Sequence, residues 1–151
     1  MNRQEMDILE ISKESINEIE PLWEELNYLH YEKSSYFKDH FSSSTFKERR
    51  KKMLETEKLL ILAVKKEDEL MGFCVASVNG KIGEIDSLYV RKDYHGKNIG
   101  KVLTDKAIGW LNSHNCSELN VYVSEGNEIV LPFYEQFGFK RRFHVLQIKN
   151  S

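Results

Sequence analysis

Arg91-Lys92-Asp93-Tyr94-His95-Gly96-Lys97-Asn98-Ile99-Gly100 is the stretch on which the reading of this chain turns. It leaves an apolar, strand-like segment at residues 81–90 (KIGEIDSLYV) and enters a helical pattern. In that pattern Leu103, Ala107, Trp110 and Leu111 fall at i, i+4, i+7 and i+8. Backbone N–H groups at a strand-to-helix junction form an anion concavity, and the helix dipole favours negative charge there. Gly96 and Gly100 allow close approach of a ligand, and Asn98 is the non-glycine residue best able to take a left-handed conformation. Arg91, Lys92, Lys97 and Lys101 add positive charge, opposed by Asp93. A pyrophosphate or 3′-phosphate is the guest such a loop suits. The loop is not a P-loop, because GxxxxGK[ST] is missing. Nor is it a dinucleotide fingerprint, because it follows an antiparallel hairpin rather than the first strand of a βαβ unit.

Outward from the loop, residues 59–65 (LLILAVK) and 70–78 read as buried strands, and Asn79-Gly80 marks the hairpin leading to 81–90. Upstream, residues 6–11 read as a strand. Ser12 to Ser15 offers a helix start, followed by Ile16, Ile19, Leu22, Trp23, Leu26 and Leu29 at helical spacing. Residues 30–44 lose periodicity and read as a long loop, and Thr45 is placed to cap a helix from Phe46 to about Glu57. Downstream come a strand at 119–123, a short helix near 131–137 stopped by Gly138, and a closing strand at 140–149. The expected order is β-α-α-β-β-β-α-β-α-β, an α/β chain of the α+β type with a mixed sheet.

The 151 residues fit one domain, with 22 basic side chains against 24 acidic ones. A general binder of nucleic acid or membrane surface leans basic, and this chain does not. Cys74 and Cys116 form no CxxC, and His30, His40, His114 and His144 are scattered with no ligand spacing, so no metal is expected. The start has no apolar h-region and the run Leu59 to Val64 is too short to span a membrane, so a cytoplasmic location is expected.

His95-Gly96-Lys97-Asn98-Ile99-Gly100 resembles the phosphate loop Q/R-x-x-G-x-G/A of the GNAT superfamily, the acetyl-CoA-dependent N-acetyltransferases. His95 stands for the opening Gln/Arg and Asn98 for the central Gly. A second segment, Asn127-Glu128-Ile129-Val130-Leu131-Pro132-Phe133-Tyr134-Glu135-Gln136-Phe137-Gly138-Phe139, is similar to the superfamily's N-x-x-A-x-x-F-Y-E-K-x-G-F signature, with Val130 at the usual small residue. The resemblance covers most of residues 59–143. It implies a GNAT fold, a mixed, mostly antiparallel central sheet flanked by about four helices, with residues 1–151 as one N-acetyltransferase domain.

The resemblance implies acetyl-CoA as co-substrate, with the amides of His95, Gly96, Lys97, Asn98, Ile99, Gly100 and Lys101 on the pyrophosphate. The strand ending Leu88-Tyr89-Val90 would pair with the pantetheine, the N–H of Leu88 facing the acetyl carbonyl. Glu84 lies eleven residues before His95, where relatives that use a carboxylate base place it. Asp86 shares its face by period two and stays an alternative. Tyr134 falls where relatives place the acid that protonates the coenzyme A sulfur, and Asn127 would orient the pantetheine or that tyrosine. An acetyl-cysteine route has no motif behind it at either cysteine, so direct attack in a ternary complex is expected.

The acceptor pocket implied by the resemblance is built from residues 28–46, with the Asn127 loop. Tyr28, His30, Tyr31, Glu32, Tyr36, Phe37, Asp39, His40 and Phe41 supply rings and carboxylates suited to a cationic amine. Expected partners are a small-molecule or peptide amine acceptor, with no nucleic acid and no membrane, and a homodimer as an option. The competing reading is a catalytically silent acetyl-CoA-binding module.

Overall fold

A computed structural model describes residues 7–96 and 98–150. Its centre is a five-stranded sheet in the order β1-β2-β3-β4-β5: Asp7–Glu10, Lys58–Lys66, Glu69–Asn79, Ile82–Val90 and Glu118–Val121. Every neighbouring pair is antiparallel except β4 and β5, which run parallel. The helices are α1 (Glu20–Lys33), α2 (Lys38–Ser42), α3 (Phe46–Leu54), α4 (Ile99–Ser113) and α5 (Leu131–Glu135), with a 3-10 helix at Lys13–Ile19 leading into α1.

The central strands are covered on both faces, which is why β2 and β3 read as unbroken apolar runs. Ile61 and Ala63 of β2, with Phe73 and Val75 of β3, face a layer holding Ile19, Leu22, Trp23 and Leu26 of the α1 region and Phe46 and Met53 of α3. Leu60, Leu62, Val64, Cys74, Ala76 and Val78 point the other way, onto Ile99, Leu103, Ala107 and Leu111 of α4. Truncating a fully buried residue of this layer, such as Leu103, would cost about 2–5 kcal/mol.

Two irregularities interrupt the ladders. Val64 pairs with Gly72 but Lys65 with Leu70, so Met71 is an extra residue on β3 and turns to the α4 side. Val75 pairs with Ser87 but Ala76 with Ile85, so Asp86 is an extra residue on β4. A bulge of this kind bends its strand and re-aims its side chains.

Local chemistry matches the sequence in several places. Thr45 caps α3 by accepting from the Glu48 amide at 3.2 Å, Pro21 sits in the first turn of α1, and Gly80 turns the β3–β4 hairpin with φ +62°.

Two expectations are corrected. Residues 30–44 are not one loop. Helix α1 continues to Lys33, and α2 forms around the buried Phe41, whose carbonyl accepts from Asn27 Nδ2 at 2.9 Å. Residues 140–149 form no strand: 139–150 are irregular and 140–150 are exposed. The period-two apolar pattern makes the segment competent to pair, but among the described residues no strand edge is hydrogen-bonded to it. Among the described residues, no helix is long and apolar enough to cross a membrane.

Candidate active site

The parallel pairing of β4 with β5 is short, covering Ile82–Ile85 against Glu118–Val121. Beyond it, from the bulge at Asp86 to Val90, β4 has no described strand on that side. The amide of Arg91 donates to the Met71 carbonyl at 2.8 Å. Antiparallel alternation then turns the backbone groups of Tyr89 and Ser87 toward β3, and those of Leu88 and Val90 toward the open side. The Val90 carbonyl fits this assignment, since it meets His95 Nε2 at 2.8 Å rather than β3.

The loop that follows delivers the start of α4. Asn98 takes the left-handed conformation expected of it (φ 61°, ψ 16°) and Gly96 has φ +84°. The Asn98 side chain makes no capping bond, so the leading amides of α4 are left for a ligand. Gly100 faces Phe133 of α5, whose ring a Cβ would meet at 3.7 Å. Lys101 reaches Asp105 at 3.1 Å and lies over the Phe137 ring, 5.9 Å from its centroid. Lys97 lies outside the described residues. A phosphate seat at one end and an open strand edge at the other suit a long ligand with a phosphate head and an amide-bearing arm.

A cleft of about 920 Å³ opens beside the fork of β4 and β5, and it brings together Glu84 and Tyr134. Glu84 is half-buried. Burial, then the neighbouring Asp86 carboxylate, pushes its carboxyl up to about 7, with Arg49 pulling the other way. Asp86 is also raised by burial, and the Ser77 hydroxyl and the Arg49 guanidinium hold that rise back. Arg49 Nη2 stands 3.8 Å from Asp86 Oδ1, while Asp86 Oδ2 is buried with no hydrogen-bond partner. The two carboxyls titrate as a pair.

Tyr134 is buried, its ring edge-on to Phe133 and Phe139. Burial first, and the Cys74 thiol second, raise its hydroxyl pKa, so it stays protonated at any ordinary pH. Cys74 is paired across the ladder with Leu88, so the thiol that acts on Tyr134 sits on the strand beside the open edge. Burial holds the Cys74 thiol up at about 12, too high for a nucleophile at neutral pH. Cys74 and Cys116 are both free.

Other expected site residues fall elsewhere. The Tyr89 hydroxyl turns to α1 and donates to Glu25 Oε1 at 3.1 Å, and burial with that contact pushes it to about 12. Asn127 Oδ1 accepts from Lys33 Nζ at 3.3 Å. Of the aromatic set in residues 28–46, Phe37, His40 and Phe41 line the cleft. Tyr28 and Tyr36 are exposed, and Tyr28 stacks on Tyr31.

Sequence reasoning missed two residues. Arg49 stands among five basic residues of α3 with nothing in its spacing to single it out. Glu125 lies two residues before the Asn127 signature. Its carboxylate accepts from Ser34 Oγ at 2.5 Å, the Ser35 amide at 2.8 Å and the Tyr36 amide at 3.4 Å. It thereby ties the β5–α5 loop to the α1–α2 connection, and the Ser34 and Ser35 bonds hold its carboxyl below the usual range.

A bulged and forked sheet beside a glycine-bearing loop that opens a helix is the arrangement these elements build. The chain belongs to the acetyltransferase (GNAT) family, whose sequence model matches residues 19–139. It is 30% identical over 87 residues to the mycothiol acetyltransferase of Renibacterium salmoninarum, covering 54% of this chain and 26% of that protein. It is 32% identical over 81 residues to the peptidyl-lysine N-acetyltransferase YjaB of Escherichia coli K12, covering 54% of this chain and 49% of that protein. These matches span less than half the length of either relative. Among solved structures, the PaiA N-acetyltransferase of Thermoplasma acidophilum in complex with coenzyme A has the same fold. Its TM-score is 0.68 at 21% identity, over 89% of each chain.

Proposed function

We propose that this chain, working as one domain, is an N-acetyltransferase that moves the acetyl group of acetyl-CoA to a primary amine by direct attack. The observation that carries the reading is the Glu84 carboxyl, poised near neutrality in the same cleft as a buried, protonated tyrosine. Acetyl-CoA would supply the activated acetyl thioester. The leading amides of α4 and Lys101 would take its phosphates, and the open edge of β4 would pair with its pantetheine arm.

The Glu84–Asp86 pair shares protons near neutral pH and keeps negative charge at the mouth of the fork. That charge draws a cationic amine toward Glu84, the member of the pair that lines the cleft. Glu84 takes the proton that the ammonium must shed before its nitrogen has a lone pair to bond the carbonyl carbon, and the second proton, released as the amide forms, balances the one that goes to the sulfur. The Leu88 N–H faces the carbonyl oxygen as charge develops there. When the C–S bond breaks, the Tyr134 hydroxyl gives its proton to the departing sulfur. Burial raises the Tyr134 pKa, so the hydroxyl still carries its proton at neutral pH when the thiolate forms.

The test is thiol release from acetyl-CoA over a panel of small amines and lysine peptides, with Glu84→Gln and Tyr134→Phe as controls. Turnover of at least one amine that both substitutions depress is the expected result. Coenzyme A binding by calorimetry without turnover of any amine would instead establish a silent binding module.

A further inference from the structure

Glu125 lines the cleft, yet its carboxylate is already taken up by the chain itself. Oε1 accepts from Ser34 Oγ at 2.5 Å and from the Tyr36 amide at 3.4 Å, and Oε2 accepts from the Ser35 amide at 2.8 Å. Ser34 is 2% exposed, and its hydroxyl oxygen also accepts from the Phe37 amide at 2.9 Å. The next two residues join the same contact. A Cβ on Gly126 would stand 2.1 Å from the Lys33 carbonyl oxygen, and Lys33 Nζ donates to Asn127 Oδ1 at 3.3 Å. Consecutive residues before α5 thus grip residues 33–37, where α1 ends.

What this grip holds is the start of α2. Phe37 caps that helix, and its carbonyl accepts from the His40 amide at 3.1 Å. A helix of 5 residues does not persist on its own hydrogen bonds. Its support comes from outside: Phe41 is buried and stacked on His30 with centroids 5.4 Å apart, Asn27 donates to the Phe41 carbonyl, and Glu125 holds the approach through Ser34. Phe37, His40 and Phe41 line the same cleft as Glu84. Rings and a carboxylate in one cleft suit an ammonium group.

We propose that Glu125 is a positioning residue for the amine acceptor: by gripping residues 33–37 it holds Phe37, His40 and Phe41 in place as the acceptor's wall. The inference rests on the acetyltransferase reading for what the acceptor is. A carboxylate that bound the amine itself would keep an oxygen free toward the cleft, whereas each Glu125 oxygen has a donor from residues 34–36. The Ser34 and Ser35 bonds hold the Glu125 carboxyl below its usual range, so the grip stays ionised while Glu84 titrates. The leading amides of α4 and the open edge of β4 take no part in the grip, so cofactor affinity is independent of it.

Steady-state kinetics on an amine that the wild type turns over supply the test. Glu125→Ala and Ser34→Ala should each raise the acceptor KM about tenfold or more, while kcat and the KM for acetyl-CoA move less than about threefold. The two substitutions open one contact, so together they should exceed the larger single effect by no more than about twofold. Glu125→Gln keeps the shape and one accepting oxygen, and its KM should fall between those of the wild type and Glu125→Ala; it carries the test if the alanine variant does not fold. The KM ratio should hold between about 50 and 500 mM salt, because the bonds lie within the chain. A charge that attracts the amine would lose its effect over that range, and that result overturns the proposal. An acceptor KM unchanged in Glu125→Ala and Glu125→Gln overturns it too, as does a Ser34→Ala variant with the wild-type KM. Those results leave the acetyltransferase reading standing, since the wild type still turns over. A wild type that binds coenzyme A and acetylates no amine overturns both.

Discussion

Replacing Glu84 by glutamine should make the protein more stable and less active at once. Burial and the Asp86 charge lift the Glu84 carboxyl from 4.5 to about 7. An acid whose pKa is higher in the folded chain binds its proton more tightly there. Stability therefore falls as pH rises from about 4.5 to about 7, and the loss is complete above 7. The side chain is partly open to solvent, so screening discounts the conversion to about 1–2 kcal/mol. Glu84→Gln keeps the shape and removes the charge. At pH 8 it should raise Tm by roughly 2–8 °C for a domain of this size, and the gain should vanish toward pH 4.5.

The same substitution should lower kcat/KM by about 10²–10⁴. In the wild type, kcat/KM should rise with pH up to an inflection near 7 that belongs to the carboxyl pair. The acceptor adds its own limb at higher pH, so two amines of different basicity separate the two. The limb near 7 should stay fixed between acceptors and disappear in Glu84→Gln. Three results would refute the reasoning: no inflection between pH 6 and 8, a variant within threefold of wild-type activity, or a Tm at pH 8 that does not rise.

Tyr134→Phe keeps the ring packed between Phe133 and Phe139, so melting should change little while kcat drops about 10–10³-fold at an unchanged KM for acetyl-CoA, read by steady-state kinetics. Lys101→Glu places a negative charge in the first turn of α4 beside the expected phosphates, and it should weaken coenzyme A binding about three- to tenfold by calorimetry, less at high salt. Gly126→Ala puts a Cβ 2.1 Å from the Lys33 carbonyl oxygen at φ +93°, and thermal unfolding should show a loss of about 2 kcal/mol or more. Glu125→Gln weakens the tie to Ser34, Ser35 and Tyr36, and should raise hydrogen exchange at residues 34–37 ahead of any change in the sheet.

Features governed by neighbours in sequence were legible. Asn98 in a left-handed cap, Thr45 capping α3 and the Asn79-Gly80 turn all follow from local backbone chemistry. Features governed by distant partners were not. Helix α2 hides in a polar, aromatic stretch because Ser34, Ser35 and Tyr36 beside it are held by Glu125, some 90 residues away. Arg49 looks no different from Arg50, yet one meets Asp86 and the other Asn17. The tail at 140–149 reads as a strand because alternation reports only what a segment could bury, never whether an edge is within reach. The site divides the same way. The left-handed turn that opens α4 and the placing of Glu84 and Tyr134 on one cleft are in line with the motif positions, whereas the electrostatics of the acid pair depend on Arg49 and Ser77 from other elements.

The bulge at Asp86 joins the fold to the proposed chemistry. Read as sequence, KIGEIDSLYV alternates without a break, so nothing local marks residue 86 as extra. The insertion sits one residue past the last pair that β4 makes with β5, at Ile85 and Val121. Bending there turns β4 away, and the opened fork leaves the Leu88 amide free on one strand. It also leaves two carboxyls where water is scarce, which is what raises both of them. An unbulged β4 would place Asp86 in the ladder opposite Ala76 and let the parallel pairing continue. The open edge and the shared proton would then be lost together, so a single irregularity accounts for both the proposed cofactor edge and the poise of the proposed base.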